Sequence, residues 1–198
     1  MAMNKLSKGW IIIIGILVIG LIYTGVTYNR LVKQDENVKL TWGDLQNSYQ
    51  RRLDLTPNLV TVVKGSSDFE KQTLEQLAAA RAKAQQVTVN STAASPDNYK
   101  QQEQAQGEMV LSINRVIGVI EKYPDLQTTK SFLYLQAQLT GTERRIRVSR
   151  DDFNAAVAGY NKMARGFPSG TVASLLGFKP KEGFQSDTGA ATPPEVKF

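Results

Sequence analysis

Glu143, Arg150, Asn154 and Asn161 fall within about 20° of one line if each residue turns the chain by ~100°, so a carboxylate, a guanidinium and two amides share one stripe of a helix. Asp44, Arg51 and Asn58 form a second stripe earlier in the chain, with Asp54 beside them. Ile146, Phe153 and Val157 lie next to the first stripe, which therefore borders a buried seam. Facing stripes of this composition fix the register of two helices, hold a polar ligand or partner, or place Glu143 and Asp54 as an acid and a base. The first reading makes Arg51, Asp54, Asn58, Glu143, Arg150, Asn154 and Asn161 a structural polar ladder. Breaking a half-buried ion pair in such a ladder costs about 3–5 kcal/mol, because the surviving charge loses its partner.

Other chemistry finds little support. The chain has no histidine and no cysteine, which removes the commonest general base, the commonest metal ligand and any disulfide or thiolate scheme. No phosphate-binding glycine loop is present. Neither catalytic, cofactor nor metal residues are expected, and the chain reads as a non-enzyme. Arg144, Arg145, Arg147 and Arg150 spread around their helix, and a net charge of +6 is modest. They read as a solvated stretch with no nucleic-acid partner. Asn90-Ser91-Thr92 has the form of a glycosylation sequon, a triplet common by chance.

These residues must be positioned by helices, and the first is a membrane element. Residues 10–27 run WIIIIGILVIGLIYTGVT without a charge, roughly 27 Å of helix at ~1.5 Å per residue, close to a bilayer's hydrocarbon core. Trp10, Tyr23 and Tyr28 mark its ends, where amphipathic rings favour headgroups. Gly25-Val26-Thr27 is a poor cleavage site, so the anchor is expected to be retained. Residues 1–9 form a basic leader. The order of leader and apolar core is that of a signal anchor in an inner membrane, with the main domain outside, although basic residues are nearly balanced across the run.

Beyond the anchor the expected fold is all-α, an antiparallel helical bundle with two long and two short helices over residues 28–166. Val38, Trp42, Leu45, Tyr49, Leu53, Val60 and Val63 mark one face of a first helix continuing from the anchor, kinked but not ended at Pro57. Ser67 and Glu70 form a capping box that opens a second helix. Pro96 opens a third, which Pro124 stops. The fourth carries Phe132, Leu135, Leu139, Thr142, Ile146, Ser149, Phe153, Ala156 and Tyr160 in alternating steps of three and four, the seam of an antiparallel bundle. Residues 167–198, rich in glycine and proline, read as an irregular tail.

The long helices outreach the short ones, which leaves a two-helix stalk near the membrane. Val38, Trp42, Phe153, Val157 and Tyr160 on that stalk are expected to be exposed and to form a self-association surface, giving a homo-oligomer. The carboxyl terminus allows two alternatives. Val196-Lys197-Phe198 has the apolar-x-apolar form that peptide-binding domains capture. Otherwise Phe184, Val196 and Phe198 dock on the stalk.

The chain resembles the LemA family of bacterial membrane proteins over nearly its whole length. The resemblance rests on Tyr28-Asn29 and Leu31-Val32, Trp42, the run from Arg51 to Val60 (RRLDLTPNLV), Ala80-Arg81 and Glu121-Lys122-Tyr123-Pro124. It continues through Phe132, Leu135, Leu139, Glu143, Ile146, Arg150, Asn154, Tyr160-Asn161, Phe167-Pro168 and Gly177-Phe178. Thr56 stands where the family more usually has isoleucine, and Phe153 where it has tyrosine. The resemblance implies one membrane anchor and an antiparallel helical domain, and no established catalytic activity. The expected function is a membrane-anchored scaffold or adaptor whose partners are the bilayer, its own copies and an unidentified membrane protein. The alternatives are a lipid-binding or membrane-remodelling protein and an enzyme using Glu143 and Asp54.

Overall fold

A computed structural model describes residues 3–64, 71–90 and 95–184. All its regular elements are helices: α1 Met3–Val63, α2 Lys71–Asn90, α3 Pro96–Ile120, α4 Pro124–Gln127, α5 Lys130–Arg165 and α6 Ser169–Leu175. The Ser67–Glu70 capping box and residues 194–198 lie outside the described residues.

Helix α1 passes through Pro57 unbroken. Helix α3 starts as its sequence requires: the Ser95 side chain accepts the Asn98 N–H at 3.3 Å, and Pro96 takes the first turn, where no backbone donor is needed. It ends at Ile120, and Pro124 opens the single turn α4 instead of directly terminating α3. The stretch after Pro168 holds one short helix, α6, followed by irregular chain through Phe184.

The contacts divide the chain into two compact units. One comprises residues up to Val38 with Ala156–Lys181; the other comprises Lys39–Ala155 with the segment from Glu182 onward.

In the second unit, side-chain pairs give the directions of the helices. Arg115 donates to Gln76, Lys83 pairs with Glu108 at 2.7 Å, and Gln102 donates to Thr88 at 2.9 Å. The partner number falls as the residue number rises, so α2 and α3 are antiparallel. The same test on Ser48 with Ser149 and Arg52 with Glu143 makes α1 and α5 antiparallel. Between these helices lies one apolar cluster that includes Leu53, Leu59, Leu77, Met109, Val116 and Leu139. Each fully buried leucine or valine contributes about 1.5–3 kcal/mol relative to exposure.

In the first unit, the large apolar side chains from Trp10 to Ile22 are all exposed. An 18-residue window of this part of the helix has a mean hydropathy of 2.4, and none of it is buried. Thr24 satisfies its hydroxyl locally by donating to the Gly20 carbonyl at 2.8 Å. Burial begins at Thr27 and Leu31.

The expected self-association surface is not exposed. Val38, Trp42, Phe153, Val157 and Tyr160 are all buried within the single chain. For Trp42, Phe153 and Tyr160 the physical reason is on view: the returning carboxyl-terminal segment and, in the second unit, Tyr99 lie against them. In the second unit, the Trp42 ring packs against Tyr99 at 4.8 Å, Phe153 at 5.5 Å and Phe184 at 6.2 Å between centroids. In the first, the Tyr160 hydroxyl donates to the Lys179 carbonyl at 2.9 Å. A second copy would have to use another surface.

Candidate functional site

Arg52, not Arg51, is the buried arginine of α1. Its residue exposure is 3%, whereas Arg51, Asp54 and Asn58 point outward. The expected helix-one stripe is corrected accordingly. The seam steps Val38, Trp42, Leu45, Tyr49, Arg52, Thr56, Leu59 and Val63 alternate four and three, and all eight are buried. Arg52 occupies a seam position, and Arg51 is one residue, about 100°, away from it.

From that position the guanidinium reaches two helices. Nη1 donates to Gln106 Oε1 on α3 at 2.8 Å, and Nη2 donates to Glu143 Oε2 on α5. Arg150 on α5 makes a parallel link to Glu103 on α3. Three helices are thus tied by two arginine–carboxylate pairs and one amide. Arg52 Nε and Gln106 Nε2 are buried without a partner among the described residues, so the centre of this network is under-satisfied.

Around the network lies an open cleft of about 570 Å³. Its charged lining is Arg52, Arg147 and Arg150 against Glu103, Glu143 and Asp151. Three cations minus three anions leave no net charge, and the cations are engaged by carboxylates at Arg52 and Arg150. Tyr49 forms part of the wall, its phenol pushed up to about 12. Burial is the main cause; Arg150 and Arg52 oppose it, while Glu103 and Glu143 add to it.

Asp54 is elsewhere. It accepts from Gln50 Nε2 at 2.8 Å and lines a different groove with Asp44, Arg51, Arg144, Arg145 and Asp152. Glu143 and Asp54 therefore do not converge as an acid–base pair. No group of three or more potential metal-ligating side chains occurs among the described residues.

The two asparagines of the stripe hold the carboxyl-terminal segment instead of α1. In the second unit, Asn154 Oδ1 accepts the Phe184 N–H at 2.9 Å while Nδ2 donates to the Phe184 carbonyl at 3.3 Å. In the first unit, Asn161 does the same for Lys181, at 2.8 and 2.7 Å. One amide side chain thus satisfies both backbone groups of one extended residue. The Phe184 ring lies against Trp42, Tyr99 and Phe153, with the Arg150 guanidinium 4.7 Å from its centroid. Lys181 also pairs with Asp35 at 2.9 Å.

An all-helical chain with an apolar amino-terminal helix and an arginine–carboxylate network between α1, α3 and α5 is the class that fold and site define. The LemA family profile matches residues 41–198, and the chain belongs to the LemA family. A protein LemA of Metamycoplasma hominis is 24% identical over 177 residues, 86% of this chain and 75% of that protein. Magnetosome protein MamQ 2 of Paramagnetospirillum magneticum is 33% identical over 89 residues, 45% of this chain. Magnetosome protein MamQ of Magnetospirillum gryphiswaldense is 30% identical over the same length. The matched part is 33% of the length of each of these magnetosome proteins.

Sequence reasoning located Glu143, Arg150, Asn154 and Asn161 but missed Arg52, Gln106, Glu103 and Tyr49. The signal for Arg52 was its place in the three-four alternation of α1. No comparable signal marks Gln106, one of several glutamines in a polar stretch of α3.

Proposed function

We propose that this protein is a membrane-anchored helical scaffold, held by residues 10–27 in a bacterial inner membrane with its leader inside and its main domain outside. The observation that supports the anchor is the set of large apolar side chains from Trp10 to Ile22, exposed on every side of one helix. In water such a surface is costly; in hydrocarbon it is the favoured arrangement, because the helix satisfies its own backbone. The scaffold reading is supported by the network at the cleft, whose Arg52 and Arg150 spend their charge on neighbouring helices. The likeness to MamQ over 89 residues fits a helical module used in proteins of different length.

Three measurements test this reading. Alkaline carbonate washing should leave the protein in the membrane pellet, with detergent needed to release it, and its intact mass should include residues 10–27. A mature chain starting near Tyr28, free in the soluble fraction, would overturn the anchor. Crosslinking and mass spectrometry in mild detergent should recover one recurrent membrane-protein partner, as a scaffold requires.

A further inference from the structure

We propose that the α6 turn is a second membrane contact, a foot that inserts Phe167, Leu175 and Leu176 into the bilayer interface beside the anchor. The proposal rests on the reading of residues 10–27 as a membrane span. Its evidence lies wholly within the first unit.

The first observation is exposure. Phe167 is 93% exposed, Leu175 81% and Leu176 43%. Leu175 ends a seven-residue helix that Phe167 and Leu176 flank and whose Val172 and Ala173 are buried, so the turn is folded rather than loosely draped. Large apolar groups clustered at both ends of one short, packed element mark a contact surface.

The second observation is level along α1. A side chain built at Gly159 would meet Gln34 Oε1 at 3.5 Å, so α5 passes the level of residue 34 there. The chain returns alongside Tyr28, whose ring packs against Phe178 at 5.9 Å, and then reaches Asp35 through Lys181 at 2.9 Å. Between Gly159 and Phe178 the chain therefore descends from the level of residue 34 and reverses. From Gly159 to Arg165 it covers about 9 Å, the rise from residue 28 to residue 34 on α1. The reversal, with Phe167 and α6, falls at the level where the uncharged run ends at Thr27.

The third observation is charge. In residues 28–38 and 156–181, Arg30, Lys33, Lys162, Arg165, Lys179 and Lys181 stand against Asp35 and Glu36. Six cations minus two anions give +4 beside the end of the span. Basic residues at that position favour anionic headgroups, while apolar side chains among them enter the acyl boundary. The occupant of this surface is thus the bilayer that holds the anchor.

The native chain has no cysteine, so single labelled cysteines report local environment cleanly. Phe167→Cys and Leu175→Cys in the full chain would carry an environment-sensitive fluorophore in vesicles containing anionic lipid. Ile19→Cys serves as the buried reference, and Tyr134→Cys near the start of α5 as the aqueous one. Blue-shifted emission and quenching by nitroxide-bearing lipid are expected at positions 167 and 175 as at 19, and not at 134. Emission at 167 and 175 matching that at 134, with 19 still quenched, would overturn the foot and leave the anchor standing. Unquenched emission at 19 would overturn the anchor and the foot together.

Discussion

Arg81 Nε donates to the Leu53 carbonyl at 3.1 Å, across from α2 to α1. That oxygen is the acceptor that residue 57 would ordinarily satisfy from within the helix, and residue 57 is proline. An arginine on a neighbouring helix thus replaces the missing backbone donor, which explains how α1 runs unbroken through a proline in its interior. The orphan carbonyl, in turn, gives α2 a fixed register on α1. Leu53 of the RRLDLTPNLV run and Arg81 of the Ala80-Arg81 pair thus meet in one contact.

This pairing predicts non-additivity. Arg81→Met should lower the thermal midpoint of the detergent-purified chain, with a loss of about 1–2 kcal/mol for the stranded carbonyl and the lost charged donor. With alanine at position 57, the new N–H bonds Leu53, and Arg81→Met should then cost distinctly less. A double-mutant cycle measures the difference. Equal losses in both backgrounds would show that Arg81 stabilises the fold by packing alone.

Arg52 and Arg51 are adjacent in sequence and should differ sharply in effect. Arg52→Ala removes the bonds to Gln106 and Glu143; Glu143 is half exposed and can rehydrate, so the cost should be near the lower end of the buried-pair range, about 3 kcal/mol. Arg51→Ala and Asp54→Ala should each stay within about 0.5 kcal/mol, as surface changes do. Denaturant midpoints of the three variants decide it. An Asp54→Ala loss as large as that of Arg52→Ala would mean that the outward stripe carries the network after all.

The Asn154 clamp predicts a local effect. Asn154→Ala strands the Phe184 N–H and carbonyl, and Phe184→Ala removes the ring from its place against Trp42, Tyr99 and Phe153. Both variants should speed proteolysis after Phe178 and lower the midpoint by about 1–2 kcal/mol, less than a fully buried phenylalanine would cost because Phe184 is only partly buried. Protection equal to that of the parent chain would show that the segment is held elsewhere.

The legibility of this chain in its sequence follows the physics. The four longer helices were readable because apolar residues recur at three and four over long stretches, most plainly from Phe132 to Tyr160; α4 and α6, of four and seven residues, are too short to show a period. The charged network was readable only in part. A stripe computed from helix angles places residues on one helix relative to each other, and it found Glu143, Arg150, Asn154 and Asn161. It does not say what lies opposite, so Asn154 and Asn161 were assigned to α1 although they grip the backbone of residues 184 and 181. Arg52 was missed because the stripe was drawn through Asp44, Arg51 and Asn58, one residue off the seam. Its seam position outweighed its charge because Glu143 and Gln106 were within reach. The cover on Trp42 and Phe153 was legible only as one of two alternatives: docking of Phe184 on the stalk is what the structure shows for that residue, but its glycine-rich stretch has no periodicity that would have ruled out an exposed stalk surface.

Tyr99 offers the sharpest pH test. Its hydroxyl is buried without a hydrogen-bond partner among the described residues, and burial pushes its pKa up to about 12. Tyr49 is raised to about 12 as well, with burial the largest cause. In the unfolded chain both titrate near the ordinary tyrosine value of about 10. Below that value both states keep their protons, and the stability associated with the neutral phenols is fully present. Between about pH 10 and pH 12 the unfolded state loses protons that the folded state retains, so stability falls as pH rises. Tyr99→Phe should therefore act twice. At pH 8 it removes an unsatisfied buried hydroxyl and should raise the thermal midpoint, by the order of 1 kcal/mol. Above pH 10 it should flatten the decline, because only Tyr49 of the pair still titrates. Comparing parent with variant removes the contribution of every group the two proteins share. Calorimetric midpoints from pH 8 to pH 11.5 would check both effects. A lower midpoint for Tyr99→Phe at pH 8 would mean that the hydroxyl has found a partner, and an unchanged alkaline slope would mean that Tyr99 ionises as freely folded as unfolded.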